Sequence, residues 1–181
     1  MYNIYKTKKM KKFLKEDEYN PNYDKHNMSL FSHMLVCGMT GAGKSNFIIN
    51  YLLQMTDVFE HIFIFTKDVQ EEIYEMLKDE MKDSLTLCCV DNVPTLKSIK
   101  KYKQALIIFD DWICCDKNVI KILADYSVYA RKQGFTCIYL SQNFFSVIKK
   151  IRGQCKYLVM LSNSNDMDLN LIISQHNVKE S

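Results

Sequence analysis

Residues 38–45 read Gly-Met-Thr-Gly-Ala-Gly-Lys-Ser, and no other stretch of the chain restricts its fold so closely. Gly38, Gly43, Lys44 and Ser45 satisfy Gly-x-x-x-x-Gly-Lys-Ser, with Gly41 inside the loop. The sequence holds five glycines, and three of them fall in these eight residues. The flanks agree, because the apolar run Met34–Cys37 enters the segment and a helical pattern beginning at Asn46 leaves it. Glycines there permit backbone turns that aim several N–H groups at one point, and the following helix N-terminus adds a positive dipole. Such a loop cradles phosphate. Residues Gly38, Met39, Thr40, Gly41, Ala42, Gly43, Lys44, Ser45 and Asn46 are the expected nucleotide contacts. Lys44 is placed to reach the outer phosphates, and the Ser45 hydroxyl is placed to ligate Mg²⁺.

Around this loop, strand-like and helix-like segments alternate. Strands are expected at His33–Cys37, His61–Thr66, Leu85–Val90, Ala105–Phe109, Thr136–Leu140 and Lys156–Leu161. Most are continuously apolar, as strands covered on both faces must be. Helices are expected at Lys44–Met55, Val69–Met81, Val119–Lys132, Asn143–Gly153 and Asp166–His176, with a shorter one from Val93 to Lys103 opened by Pro94. That alternation predicts an α/β fold, a mainly parallel sheet with helices on both faces. At 181 residues and 48% apolar content the chain suits one domain, residues 31–181, preceded by an arm over residues 1–30. Lys6, Lys8, Lys9, Lys11, Lys12 and Lys15 make that arm basic: a solvated tail, or a contact for phosphates. The net charge of +3 does not by itself specify a nucleic-acid partner.

No run is long and apolar enough to predict a membrane span, and the lysine-rich start lacks the features of a secretory signal. Seven cysteines without a Cys-x-x-Cys spacing read as buried thiols in a reducing, intracellular setting.

Two strand ends carry further chemistry. Ala105–Phe109 runs directly into Asp110 and Asp111. Beside a phosphate loop, Asp110 is expected to hold Mg²⁺ through its water shell, and Asp111 to orient the attacking water. A helix N-cap is the alternative use of such an Asp. The strand Thr136–Leu140 ends in Ser141-Gln142, where Gln142 is the candidate sensor of the terminal phosphate. Arg131 and Arg152 are the two arginines among 24 basic residues. Arginine offers a planar fork suited to phosphate oxygens, although a cation at a helix C-terminus is also favoured by the dipole. Lys149, Lys150 and Arg152 form a basic cluster that suits either DNA or solvent.

In order, Gly38–Ser45, Leu106–Asp111, Tyr129–Gly134, Ile138–Gln142 and Ile151–Tyr157 resemble one family: the genome-packaging ATPases of large double-stranded DNA viruses and virophages, within the FtsK/HerA superfamily. The resemblance covers roughly residues 32–176. It implies a RecA-like ATPase core of the type with an extra strand between the two nucleotide-binding elements. It also implies Mg²⁺ and ATP, a homo-oligomeric ring acting on double-stranded DNA at a capsid or portal vertex, and residence in the host cytoplasm, viral factory or virion. Lys44, Ser45, Asp110, Asp111 and Gln142 fall on the family's ATP-site positions, and Arg131 on the helix expected to supply an arginine finger. A nucleoside or nucleotide kinase, and a nucleotide-binding assembly scaffold, are the competing readings. The kinase is disfavoured by the scarcity of arginines for a lid, and the scaffold by the intact acidic pair.

Overall fold

The computed structural model describes residues 20, 22–99, 102–161 and 166–176. The lysines singled out in the arm therefore lie outside the described residues. A short helix, α1 (Tyr23–His26), leads to the first strand, β1 (His33–Cys37). Then follow α2 (Lys44–Gln54), β2 (His61–Thr66), α3 (Glu72–Met81), β3 (Leu85–Cys89), β4 (Ala105–Phe109) and α4 (Lys117–Tyr129). After these come β5 (Phe135–Ser141), α5 (Lys149–Arg152), β6 (Tyr157–Met160) and α6 (Asp166–His176).

The six strands form one sheet in the order β3-β2-β4-β5-β1-β6, and every pairing is parallel. Parallel pairing needs crossovers, which helices supply everywhere except between β3 and β4, where a 3₁₀ turn and loop cross β2. Helices on both faces explain why the inner strands read as unbroken apolar runs. All residues of β1, β2, β4 and β5 are buried, whereas the edge strands β3 and β6 are mostly half-buried.

Alternate side chains of each strand feed two cores. Met34, Val36, Leu106, Ile108, Ile138 and Leu140 face one layer, where α2 adds Ile48 and Tyr51 and α3 adds Tyr74 and Leu77. Leu35, Cys37, Ile107, Phe109, Cys137 and Tyr139 face the other, with Leu123 and Tyr126 of α4, Ile151 of α5 and Ile172 of α6. Each such Leu, Ile or Phe removed from water stabilises the fold by about 1.5–3 kcal/mol.

The six expected strands all form, with ends shifted by at most a residue. The helices need corrections. The first lies close to its expected span, but α3 starts at Glu72 rather than Val69, and α4 passes at Ala130–Gln133 into a 3₁₀ turn instead of running to Lys132 as one helix. Asn143–Gly153 is not one helix: only Lys149–Arg152 is helical. The cause is local, since Asn143 Oδ1 accepts from the backbone N–H groups of Phe145 (2.7 Å) and Ser146 (3.2 Å), an Asx turn that competes with helix. Residues 93–95 carry no regular structure and 96–99 form turns in place of the expected helix. There the Pro94 carbonyl accepts the Tyr126 hydroxyl at 2.8 Å. The thiols also differ from expectation: Cys37 and Cys137 are buried, Cys114 is exposed and the other four are half-buried.

Gly134 joins that 3₁₀ turn to β5 at φ +84°, and a Cβ there would sit 2.2 Å from the Lys103 carbonyl oxygen. Both the left-handed backbone and the collision with main chain oppose any side chain. Gly134→Ala is expected to lower unfolding free energy by more than about 1 kcal/mol, read as a lower urea midpoint at unchanged slope. An unchanged midpoint would show that the β4 approach yields without cost.

Candidate active site

β5 lies between β1 and β4, so three adjacent strands release their chain at one edge of the sheet. β1 ends into Gly38, β5 into Gln142 and β4 into Asp110. Register keeps these exits level: Cys37 pairs with Ser141 and Phe109 with Tyr139. Gly38 N–H donates to the Ser141 carbonyl at 3.1 Å, and Asp110 N–H to the Phe65 carbonyl at 2.8 Å. In open parallel sheets, ligands bind at this carboxyl edge.

A cavity of about 410 Å³ opens there, lined by Thr40, Gly41, Gly43, Lys44, Ser45, Asn46, Glu71, Asp110, Asp111 and Gln142. It adjoins a hollow of about 210 Å³ that shares Lys44, Asp110, Asp111 and Gln142 and adds Ser141 and Asn143. The structure thus brings together the loop, the acidic pair and the candidate sensor. Gly38, Met39 and Ala42 shape the loop without lining the cavity. A Cβ on Gly38 would meet Leu161 Cβ at 2.9 Å, so close packing requires glycine there. Gly41 (φ +78°) and Gly43 (φ +93°) turn the loop through backbone angles that side chains resist.

Lys44 and Ser45 open α2, whose first turn carries no acidic residue. The helix end therefore presents its N–H groups to the cavity without a carboxylate of its own to satisfy them. Lys44 Nζ donates to the Gly38 carbonyl at 2.9 Å and the Met39 carbonyl at 3.2 Å, which holds the ammonium over the loop. Ser45 Oγ donates to Glu71 Oε1 at 3.1 Å.

Asp110 is 6% exposed. Its Oδ2 accepts the Tyr74 hydroxyl at 2.7 Å, and its Oδ1 accepts the Asp111 N–H at 3.0 Å. Burial raises the carboxyl above the usual carboxylate range, the Tyr74 bond opposes that shift, and the neighbouring Asp111 charge adds to it. Burial, reinforced by Asp110, pushes the Tyr74 phenol well up, so it stays a proton donor. Asp111 adopts φ +50° and is exposed at the lip of the cavity. Directly after it, buried Trp112 donates its indole N–H to the Leu140 carbonyl at 2.9 Å, which ties the acidic turn to β5. Ser141 is committed to its own turn, donating to the Asn143 carbonyl at 2.7 Å and accepting the Asn143 N–H at 3.2 Å. Gln142, by contrast, is exposed at the cavity wall.

The donors suit a hard divalent cation. Ser45 Oγ and the carboxylates of Asp110, Asp111 and Glu71 are all oxygen and line one cavity with the Lys44 ammonium. Among the described residues, however, no three His, Cys, Asp or Glu side chains gather as a ligand set of their own. Glu71 and Tyr74 went unnoticed in the sequence. No motif marks either, and both fall inside the helix expected from Val69 to Met81.

Arg131 is elsewhere. It is exposed on the 3₁₀ turn before β5 and lines a cavity of about 710 Å³ with His33, Lys132 and Lys156, at the opposite ends of the strands. The seven residues of β5 separate it from Gln142, a span of roughly 23 Å. It does not reach the phosphate loop of its own chain. His33 beside it is buried, and its imidazole pKa falls to about 4 through burial and then the Arg131 charge.

The basic cluster is also differently disposed. Lys149 and Lys150 are exposed, Lys150 lying 3.6 Å from Asp125, but half-buried Arg152 stacks over the Phe144 ring at 4.8 Å and the Phe145 ring at 5.5 Å. That packing makes Arg152 a prop of the loop after β5.

Comparison with solved structures agrees with this architecture. B204, the DNA-packaging ATPase from Sulfolobus Turreted Icosahedral Virus, superposes with a TM-score of 0.59 at 15% identity, over 82% of this chain and 83% of that one. The B204 genome packaging NTPase of Sulfolobus turreted icosahedral virus 2, in complex with AMP, gives 0.58 at 16% identity, over 80% and 81%. EssC (ATPases 2 and 3) from Geobacillus thermodenitrificans gives 0.62 at 12% identity, over 83% of this chain and 36% of that one. At these identities the likeness establishes the fold, an α/β RecA-like one. No curated protein matches the chain. The model of the Poxvirus A32 protein family, however, matches residues 18–181. With nearly the whole sequence matched, the chain belongs to the poxvirus A32 protein family, and the resemblance to viral packaging ATPases of the FtsK/HerA type is borne out.

Proposed function

We propose that this chain is an Mg²⁺-dependent ATPase that drives double-stranded viral DNA into a preformed capsid as a homo-oligomeric ring inside the infected cell. The observation that carries the reading is the convergence of Lys44, Ser45, Asp110, Asp111 and Gln142 on one cavity at the carboxyl edge of the sheet. Membership of the A32 family and the shared fold with two viral packaging NTPases support the packaging role. Among the described residues no helix is long and apolar enough to cross a membrane.

The chemistry follows from the residues present. Loop N–H groups and Lys44 bind the phosphates, with the ammonium leaving the loop carbonyls for oxyanions that hold it more strongly. Ser45 would ligate the metal and Asp110 would hold it through its water shell, and the ion would supply positive charge against the outer phosphates. Asp111 and Gln142 orient the attacking water from the lip of the cavity. Arg131, far from its own loop, acts on the nucleotide of the next subunit in the ring.

The experiment is steady-state ATP hydrolysis with and without long double-stranded DNA at two salt concentrations. Turnover is expected to rise with DNA, and the stimulation to fall steeply as salt increases, because phosphate contacts release counterions. Robust hydrolysis indifferent to DNA would remove the translocation reading and leave an ATPase.

A further inference from the structure

The first turn of α3 touches both halves of the metal site. Glu71 precedes the helix, its carbonyl accepting the N–H groups of Tyr74 (2.9 Å) and Glu75 (3.1 Å). Helix starts favour Ser, Thr, Asp or Asn, whose side chains bond back to the first turn. The Glu71 side chain makes no such cap. Its Oε1 accepts the Ser45 hydroxyl instead, while one turn later Tyr74 donates to Asp110. A hydroxyl whose proton is taken on one side presents its lone pairs on the other, toward the cavity that Glu71 and Ser45 both line.

From this geometry we propose that Glu71 is a positioning residue for the divalent cation. It fixes the Ser45 hydroxyl as a metal ligand and adds a carboxylate to the cation's water shell. The inference rests on the ATPase reading above. Asp110 already has one hydrogen bond on each oxygen, from Tyr74 and the Asp111 backbone. The Ser45 proton goes to Glu71 in this arrangement, and Tyr74 keeps Asp110 in its own place. Removing the Glu71 charge therefore weakens the hold on metal more than the hold on phosphate. Removing the whole side chain also frees the Ser45 rotor.

The test uses the full chain and its Glu71→Gln and Glu71→Ala variants with a non-hydrolysable ATP analogue. Mn²⁺ is titrated and bound metal is read by electron paramagnetic resonance. Gln keeps an acceptor for Ser45 but loses the charge, whereas Ala loses both. Half-saturation is expected to rise about tenfold in Gln and toward a hundredfold in Ala, the range for outer partners of metal ligands. Analogue binding in EDTA should be unchanged or tighter, and urea midpoints should match, since the side chain caps no helix. Unchanged metal half-saturation in both variants would overturn the proposal alone. Equal losses with and without metal would also overturn it, as a sign of general collapse of the loop. Wild-type protein whose analogue binding ignores divalent ions would overturn the Mg²⁺-ATPase reading itself.

Discussion

Replacing Arg131 with alanine is expected to abolish assembly-dependent ATP turnover, by about 10³–10⁵-fold, while leaving ATP affinity within about twofold of wild type. The two halves of that expectation come from one geometric fact. Arg131 is exposed beyond the amino end of β5, and the phosphate cavity lies beyond its carboxyl end. No rotamer bridges the strand between them, so binding within one chain should not sense the loss. In a ring, an amino edge facing the next chain's carboxyl edge would offer the guanidinium to the terminal phosphate. There it would stabilise the charge that develops as the phosphoryl group transfers. Single-turnover hydrolysis, nucleotide binding and sedimentation of the same preparations separate the possibilities. A stronger check mixes Arg131→Ala with Lys44→Ala, each nearly inactive alone. Mixed rings contain interfaces with an intact loop on one side and an intact arginine on the other, and these should recover part of the activity. No recovery in mixtures shown to co-assemble would assign Arg131 to its own chain, most simply to the surroundings of His33.

What the sequence disclosed follows a physical divide. The four inner strands were legible because burial on both faces forces continuous apolar runs, as in Ala105–Phe109, and the half-buried edge strands β3 and β6 still kept short apolar stretches. The phosphate loop was legible because a chain with five glycines places three of them where two must take positive φ. The acidic pair gained meaning from the order of strands, since β5 sets Gln142 between Gly38 and Asp110. That order is a property of the sheet and not of any segment. Helix ends were harder to read. Asn143 diverts its own backbone into an Asx turn, which an apolar pattern containing Phe144, Val147 and Ile151 does not reveal. Glu71 was invisible for a different reason: it meets Ser45 across 26 positions, where the start of α3 comes beside the start of α2. The same holds for Tyr74, whose aromatic body belongs to the core and whose hydroxyl alone serves the site.

Lys44→Ala should produce the largest loss of nucleotide binding. The ammonium is already held over the loop by the Gly38 and Met39 carbonyls, so triphosphate meets a donor that needs little ordering. A hydrogen bond to a charged group contributes about 1.5–3 kcal/mol. Its loss therefore weakens Mg-ATP binding by roughly 10–150-fold. The effect should be smaller for ADP and smallest for AMP, because the missing cation faces the outer phosphates. Three carboxylates line the same cavity. Without Lys44 the described lining carries only negative side-chain charge, so the variant should also depend more steeply on divalent metal. Stability should change little, since Lys44 is only half-buried and alanine is a good helix former at the start of α2. Calorimetric titration of the three nucleotides, with the urea midpoint measured alongside, checks each part. Equal losses for ATP, ADP and AMP would mean that the loop had deformed. Unaltered ATP affinity would remove Lys44 from the phosphate site and, with it, the reading of residues 38–45 on which the proposed function stands.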